Sequence, residues 1–490
     1  MHEITATTPE LSSRRAWWGL AVLTLPVLLV SMDFSVLYLA IPSITADLDP
    51  SATQQLWILD VYGFAIAGLL ITMGNVGDRV GRRRILLAGS AVFGLGSVLA
   101  AFSPDAGLLI ASRALMGIGG ATLLPSSLSL IANMFADPRD RGRAIGIWTA
   151  AFAGGSAIGP VVGGVLLHHF WWGTVFLINV PVLAVLLLAG PRVLPEYRAA
   201  SDARFDVPGV VLSLLGILPL VYAVKDVASH GPHPRALALA VLGLVSLAAF
   251  VARQRRAAAP LVDLHLFRSP AFSAAIASSL VGMMTFGAMS YLTGVQLQTA
   301  MGLDVLVAAL AGIPVAVTVG IFSISATRLA THGHRGPFVA ALLLAALGNL
   351  GLVGLSVDGP VWVYLVSTAV AGIGYGIVFS LVSDFVVGSV PPERSGAASG
   401  VSETSFELGT ALGLALLGSL ATFVFRAAAD GRPFADTLGE TVERAQRDGD
   451  GALAQAARSA FTDGLHAASL ASAVALVLLA GVVAVAMRRR

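Results

Sequence analysis

Glu403 and Glu407 stand four residues apart inside a long apolar stretch, SGAASGVSETSFELGTALGLALLGSLATFVF (395–425). A carboxylate in hydrocarbon costs several kcal/mol, so it must look onto protein or a water-filled cavity. A spacing of four puts both acids on one helix face. They come about 10 and 17 Å from the inner end of the helix. Two neighbouring carboxylates resist double ionisation and titrate as a coupled pair, which suits proton carriage or cation binding. A hydrogen-bonded glutamic acid filling a packing role is the plain alternative. Three further charges fall in apolar stretches. Asp33 in VSMDFSVLYLAIP (30–42) lies about 24 Å along its helix. Asp60 in LWILDVYGF (56–64) lies near the outer end of the next one, at a similar depth, where headgroup water would also satisfy it. Arg113 in IASRALMGIGGA (110–121) sits in mid-helix and needs a carboxylate, carbonyl or water partner. Asp33 is one candidate, and a purely structural ion pair is the alternative. Asp384 lies nearer the inner surface, where Arg394 could pair with it.

The elements that position these charges are membrane spans. The chain has 490 residues, 56% hydrophobic and 12% charged. That charge content is about half that of a soluble domain. Mean hydropathy is +0.83. Fourteen stretches are long enough to cross a bilayer: 17–42, 54–76, 85–103, 107–135, 144–168, 172–190, 207–226, 236–252, 271–298, 303–330, 337–356, 360–390, 396–425 and 463–487. With the N-terminus inside, most of the 30 lysines and arginines fall on inside segments. Trp17, Trp18, Trp57, Trp171, Trp172 and Trp362 fall near span ends, as an aromatic belt requires. Residues 1–16 read as an inside tail and 191–206 as an inside connector. Residues 426–462 read as a polar outside loop, 488–490 as an inside C-terminus.

A net charge of +2 gives no field for nucleic acid, and the absence of cysteine removes disulfides and thiolate metal sites. No HExxH occurs. The one lysine, Lys225, follows valine, so no ATP-binding P-loop exists in this chain. No cofactor or metal is expected, nor is an enzyme, and no extramembrane stretch is large enough for a signalling domain.

Two glycine motifs bear on motion. In GDRVGRRR (77–84), Gly77 permits a tight turn, and Asp78 can pair with Arg79 or Arg82 as a conformational latch. A positive-inside anchor would need only the arginines. In GGSAIGPVVGG (154–164), Gly155, Gly159 and Gly163 share one face and admit a close neighbour, while Pro160 can kink the helix. Static packing explains the glycines equally well. Degenerate echoes, ATRLATHGHRGPFVAA (326–341) and LGTALGLALLGS (408–419), suggest two related halves of six spans separated by two more, with a site between the halves; chance similarity among Gly/Ala-rich helices is the rival reading.

These motifs resemble the major facilitator superfamily, and most closely its fourteen-span drug:proton antiporters. The likeness runs over nearly the whole chain. The resemblance implies an all-α polytopic membrane protein with two six-helix bundles (17–190 and 257–487) and two additional central helices (207–256). It implies a plasma-membrane efflux pump with both termini cytoplasmic, whose partners are small-molecule drugs, protons and lipids, not ATP. Asp33, Asp60, Arg113, Glu403 and Glu407 would serve proton coupling or cation recognition. Gly77, Asp78, Arg79 and Arg82 would control alternating access, and Gly159 with Pro160 would keep exchange tight. Tyr62, Trp148, Phe152, Tyr375 and Phe406 could stack on a flat cation. Span ten lacks the added acid of relatives that bind divalent cations, which argues against divalent recognition. An exporter of one antibiotic or endogenous metabolite fits the same residues; the antiporter-type motif of span five argues against an importer.

Overall fold

The computed structural model describes residues 13–50, 52–198, 206–230, 233–257, 260–330, 333–391, 395–435 and 437–487. Most of the expected N-terminal tail, residues 199–205 of the connector, Arg394 and 488–490 lie outside these residues. Every regular element described is helical. The first bundle holds α1 (Ser13–Leu48), α2 (Ala52–Val80), α3 (Arg82–Ala101), α4 (Ala106–Met134), α5 (Pro138–His169), α6 (Thr174–Leu177) and α7 (Asn179–Val193). Then come α8 (Val207–His230) and α9 (Pro234–Gln254). The second bundle holds α10 (Pro270–Val295), α11 (Val305–Ala311), α12 (Ile313–Leu329), α13 (Arg335–Gly351), α14 (Trp362–Gly388), α15 (Ser395–Gly413), α16 (Ser419–Ala427), α17 (Leu438–Asp448) and α18 (Gly451–Ala486). Thirteen helices among the described residues are long and apolar enough to cross a membrane. The 32-residue α5, which packs along α1, completes the expected fourteen.

Local chemistry sets the ends. Asp105 caps α4 by accepting the Leu108 N–H at 2.9 Å, and Asp137 caps α5 ahead of Pro138. Gly81, at φ 120°, takes a backbone conformation that only glycine adopts without strain, and this separates α2 from α3. Two expectations change in detail. The outside loop is partly helical: Thr437 caps α17, Gly449 at φ 70° closes it, and α18 starts at Gly451, twelve residues before the expected span. The spans expected at 303–330 and 396–425 are each interrupted, the second by a π-helical turn at Leu414–Gly418.

Each bundle has its own apolar core. One gathers Leu23, Val27, Leu70, Phe93, Leu128 and Trp148; the other gathers Phe272, Phe338, Leu342, Val378 and Leu476. Between them α2 packs along α15, and α5 along α12 and α14. Outward faces stay apolar and exposed, as at Leu188, Leu237, Leu347 and Leu478, which only a lipid environment makes tolerable.

The two additional helices close side by side through Gly216 and Gly243; a Cβ on Gly243 would meet the Gly216 carbonyl oxygen at 2.8 Å. Ile217 and Val221 of α8 share a core with Phe64, Ala67 and Ile71 of α2 and with Ala411 of α15. The pair therefore covers one side of the seam between the bundles, a role no sequence pattern assigned. Asp206 ties it shut, accepting from Arg253 Nε at 2.6 Å, Gln254 Nε2 at 3.0 Å and the Gly209 N–H at 3.1 Å. Burial alone would raise this carboxyl's pKa, but the bond from Arg253 and the two others outweigh it and leave the value below the ordinary 3.8. The stabilisation is therefore present above the ordinary carboxylate range and is lost as pH falls through the lowered value. Thermal melts of the purified protein should fall with acidification below about pH 4, and Asp206→Asn should flatten that slope while lowering the neutral-pH melting temperature. An unchanged acid slope in the variant contradicts the assignment.

Candidate functional site

Arg113 is wholly buried on α4, and the surrounding residues are arranged to receive it. Its Nη1 donates to Asp33 Oδ2 on α1, and its Nε donates to the Ile58 carbonyl of α2 at 3.1 Å. Its Cζ lies 4.7 Å from the centre of the Tyr62 ring, a cation–π contact. Asp33 is itself 6% exposed, so two opposite charges share a dry site. Such a pair survives because each charge satisfies the other; removing one leaves the partner uncompensated. The approach of α2 to α4 depends on Gly117, where a Cβ would meet the Tyr62 carbonyl oxygen at 2.8 Å.

The second bundle brings Glu403 and Glu407 to the seam on α15. Small residues let this helix wedge in: a Cβ on Gly400 would meet Leu70 O at 3.0 Å on α2, and one on Gly409 would meet Met283 Cβ at 3.1 Å on α10. Glu403 is buried, and its Oε1 makes no hydrogen bond to protein. Glu407 is half-buried. The two carboxylates act on each other electrostatically. Glu407 also acts electrostatically on the Tyr62 hydroxyl, as do Asp33 and Arg113. One field thus links residues of both bundles. Asp60 is half-buried on α2, two residues before Tyr62 and so turned to nearly the opposite side of that helix.

The aromatic candidates divide. Tyr62 lies under Arg113. Trp148 is buried, donates to Ser127 Oγ at 2.9 Å and stacks beside Phe152 at 6.5 Å. Tyr375 is buried among side chains of its own bundle, donating to Thr285 Oγ1 at 2.9 Å and accepting from Asn349 Nδ2 at 2.8 Å. Phe152 and Phe406 are half-buried, and Phe406 meets Phe379 edge-on at 5.4 Å. The Thr285–Tyr375–Asn349 network was not foreseen, because nothing in the sequence brings three helices together.

At the arginine-rich face the seam is closed. Asp78 pairs with the fully buried Arg82, whose Nη1 donates to Gly74 O at 3.1 Å. Asp78 Oδ2 also accepts the Ala397 N–H at 3.2 Å in the first turn of α15. An anion at that positive helix end is favoured. A side chain on Gly77 would press on Ile85 at 3.1 Å and on Arg82 at 3.3 Å; Arg79 is half-buried beside them. Two more contacts cross the seam there: Ser129 with Ser395, and Ser323 Oγ donating to Gly146 O at 2.9 Å. Asp384 pairs with Arg141 of α5 at 3.3 Å. Asp384 is thus a contact between bundles, while the expected partner Arg394 lies outside the described residues. Glu196, in the connector, accepts the Arg83 N–H at 3.2 Å and pairs with Arg83 and Arg84 at 3.5 and 3.7 Å. In the glycine stripe, a Cβ on Gly155 would meet Leu28 Cα of α1 at 3.1 Å, and one on Gly163 would meet Val36 Cγ1 at 3.0 Å. Gly159 is buried between them. Pro160 falls within α5, its side chain outside the description.

Two helical bundles meeting along a polar seam, sheathed in exposed apolar side chains, define a multi-pass membrane transporter. The chain belongs to the Major Facilitator Superfamily, which it matches over residues 23–414. It is similar to the multidrug efflux pump LfrA of Mycolicibacterium smegmatis, at 42% identity over 99% of this chain and 98% of that protein. It is also similar to the methyl viologen resistance protein SmvA of Salmonella typhimurium, at 31% identity over 96% and 97%. The human organic anion transporter MFSD10 (TETRAN) shares the fold, with a TM-score of 0.62 and 17% identity over 97% of this chain and 99% of that one.

Proposed function

We propose that this protein is a proton-coupled multidrug efflux antiporter of the plasma membrane, exporting lipophilic cations by alternating access. The observation that carries the reading is the buried Asp33–Arg113 pair over Tyr62 in one bundle and, on α15 of the other, buried Glu403 one turn from half-buried Glu407. Any movement along the seam changes the company of these charges, so protonation and conformation are linked. Glu403 and Glu407 exchange protons for cationic substrate, and Asp33 releases or holds Arg113. The membrane potential supplies about 2.3 kcal/mol per charge per 100 mV. The arginine-rich face is cytoplasmic, with both termini on that side; Asp78, Arg82, Arg141 and Asp384 form the gate closed here. The bundles comprise 17–190 and 257–487, and 207–256 braces their seam. Similarity to pumps named for multidrug and methyl viologen resistance supports a cationic, lipophilic cargo.

Ethidium export from proteoliposomes tests this. Wild-type export should collapse with an uncoupler, and Glu407→Gln should reduce it by about tenfold or more at neutral pH, as loss of one buried coupling charge warrants. Export that is indifferent to both removes the reading. Competition by a panel of cationic and neutral compounds separates a broad cation pump from an exporter of one antibiotic or metabolite.

A further inference from the structure

Where α9 ends and the chain turns back toward α10, a cleft of about 650 Å³ opens on the arginine-rich face. Its walls carry Gln254, Arg255, Asp263, Leu264, His265 and Arg268. The floor is fixed: buried Gln254 accepts the Leu261 N–H at 2.6 Å and the Val262 N–H at 3.3 Å, and its amide donates to Asp206. The acid in the wall is partly occupied, since Asp263 Oδ1 accepts the His265 N–H at 3.0 Å. Among the described residues no carboxylate lies within ion-pairing distance of Arg255, Arg256 or Arg268, unlike Arg253, which Asp206 holds. The exposed face of α9 runs through Val241, Leu244, Val245, Ala248 and Ala252 directly to Arg255. That face is apolar along its length and cationic at its end.

We propose that this cleft binds the anionic phosphate headgroup of a membrane lipid, with the acyl chains lying along α9. Arg255 and Arg268 hold the phosphate from two sides, because a guanidinium donates two parallel bonds to an oxyanion. Basic recesses at the cytoplasmic ends of membrane helices have this chemistry in general. Continuity with the lipid-facing side of α9 favours a lipid over free phosphate. The lipid would add to the hold that buried Gln254, Leu261 and Val262 give between the additional helix pair and the chain leading into the second bundle.

The test uses delipidated full-length protein in detergent, titrated with phosphatidylglycerol or with phosphatidylcholine and read by native mass spectrometry. Wild type should retain phosphatidylglycerol over phosphatidylcholine. The double variant Arg255→Gln/Arg268→Gln should weaken that retention by about thirty-fold, the effect of two surface-proximal charges. Both side chains are exposed, so the fold is expected to survive. Arg447→Gln, on exposed α17 at the opposite face, should leave retention unchanged. Equal retention in wild type and double variant overturns the proposal. So does complete displacement of the phospholipid by excess inorganic phosphate, which would assign the cleft to the free anion.

Discussion

Asp33→Asn is expected to lower the protein's stability by about 3–5 kcal/mol and to abolish coupled export, because it strands Arg113 as a buried charge without a counterion. The carbonyl of Ile58 and the face of Tyr62 remain, but neither carries a full negative charge. Fluorescence-monitored melting of the purified variant reads the first effect, and ethidium export the second. The double variant Asp33→Asn/Arg113→Leu separates stability from mechanism. Removing both charges should recover much of the melting temperature, since a vacated ion pair costs less than a broken one. It should not recover coupled transport. A single variant that melts with wild type would show that Arg113 has another counterion, and the cluster would not then act as a unit.

The second large effect concerns the closed gate. Arg82 is fully buried with Gly396 of α15 against its guanidinium, so Asp78→Asn is expected to penalise this closed conformation far more than one in which α15 has moved away. A differential cost of about 3 kcal/mol moves the balance between the two by more than a hundredfold. The chain contains no cysteine, so a single introduced thiol reports the change without background. Ser129, buried against Ser395 at the closed seam, is a suitable position. In membranes, Ser129→Cys should react slowly with a polar maleimide, and Asp78→Asn added to it should speed the reaction by at least tenfold. Unchanged labelling means the pair does not bias the gate.

Much of this arrangement is legible in the residues themselves. The fourteen apolar stretches appear as helices because span length and hydropathy are local properties. The pairing of Asp78 with Arg82 follows from a spacing of four, and Asp33 was a candidate for Arg113 because both sit where an isolated charge is intolerable. The rest is not local. Asp384 meets Arg141, far away in sequence, because the helices cross at the seam and no periodicity encodes that crossing. Glu196 docks on Arg83 and Arg84 for the same reason. The aromatic residues were candidates because a flat ring can stack on a cation. Residue type does not tell half-buried Phe406, which meets Phe379, from buried Tyr375, whose hydroxyl is held by Thr285 and Asn349. The task of α8 and α9 stayed hidden because an apolar helix looks the same whether it faces lipid or covers a joint.

The most direct measurement is proton movement driven by substrate. Proteoliposomes holding a pH-sensitive dye, with no imposed gradient, receive ethidium on one side. The predicted result is a proton flux opposite to ethidium in the wild type, absent in Glu403→Gln/Glu407→Gln protein. Ethidium crossing with no proton flux, or an equal flux in the double variant, would contradict the role given to the carboxylates at the seam.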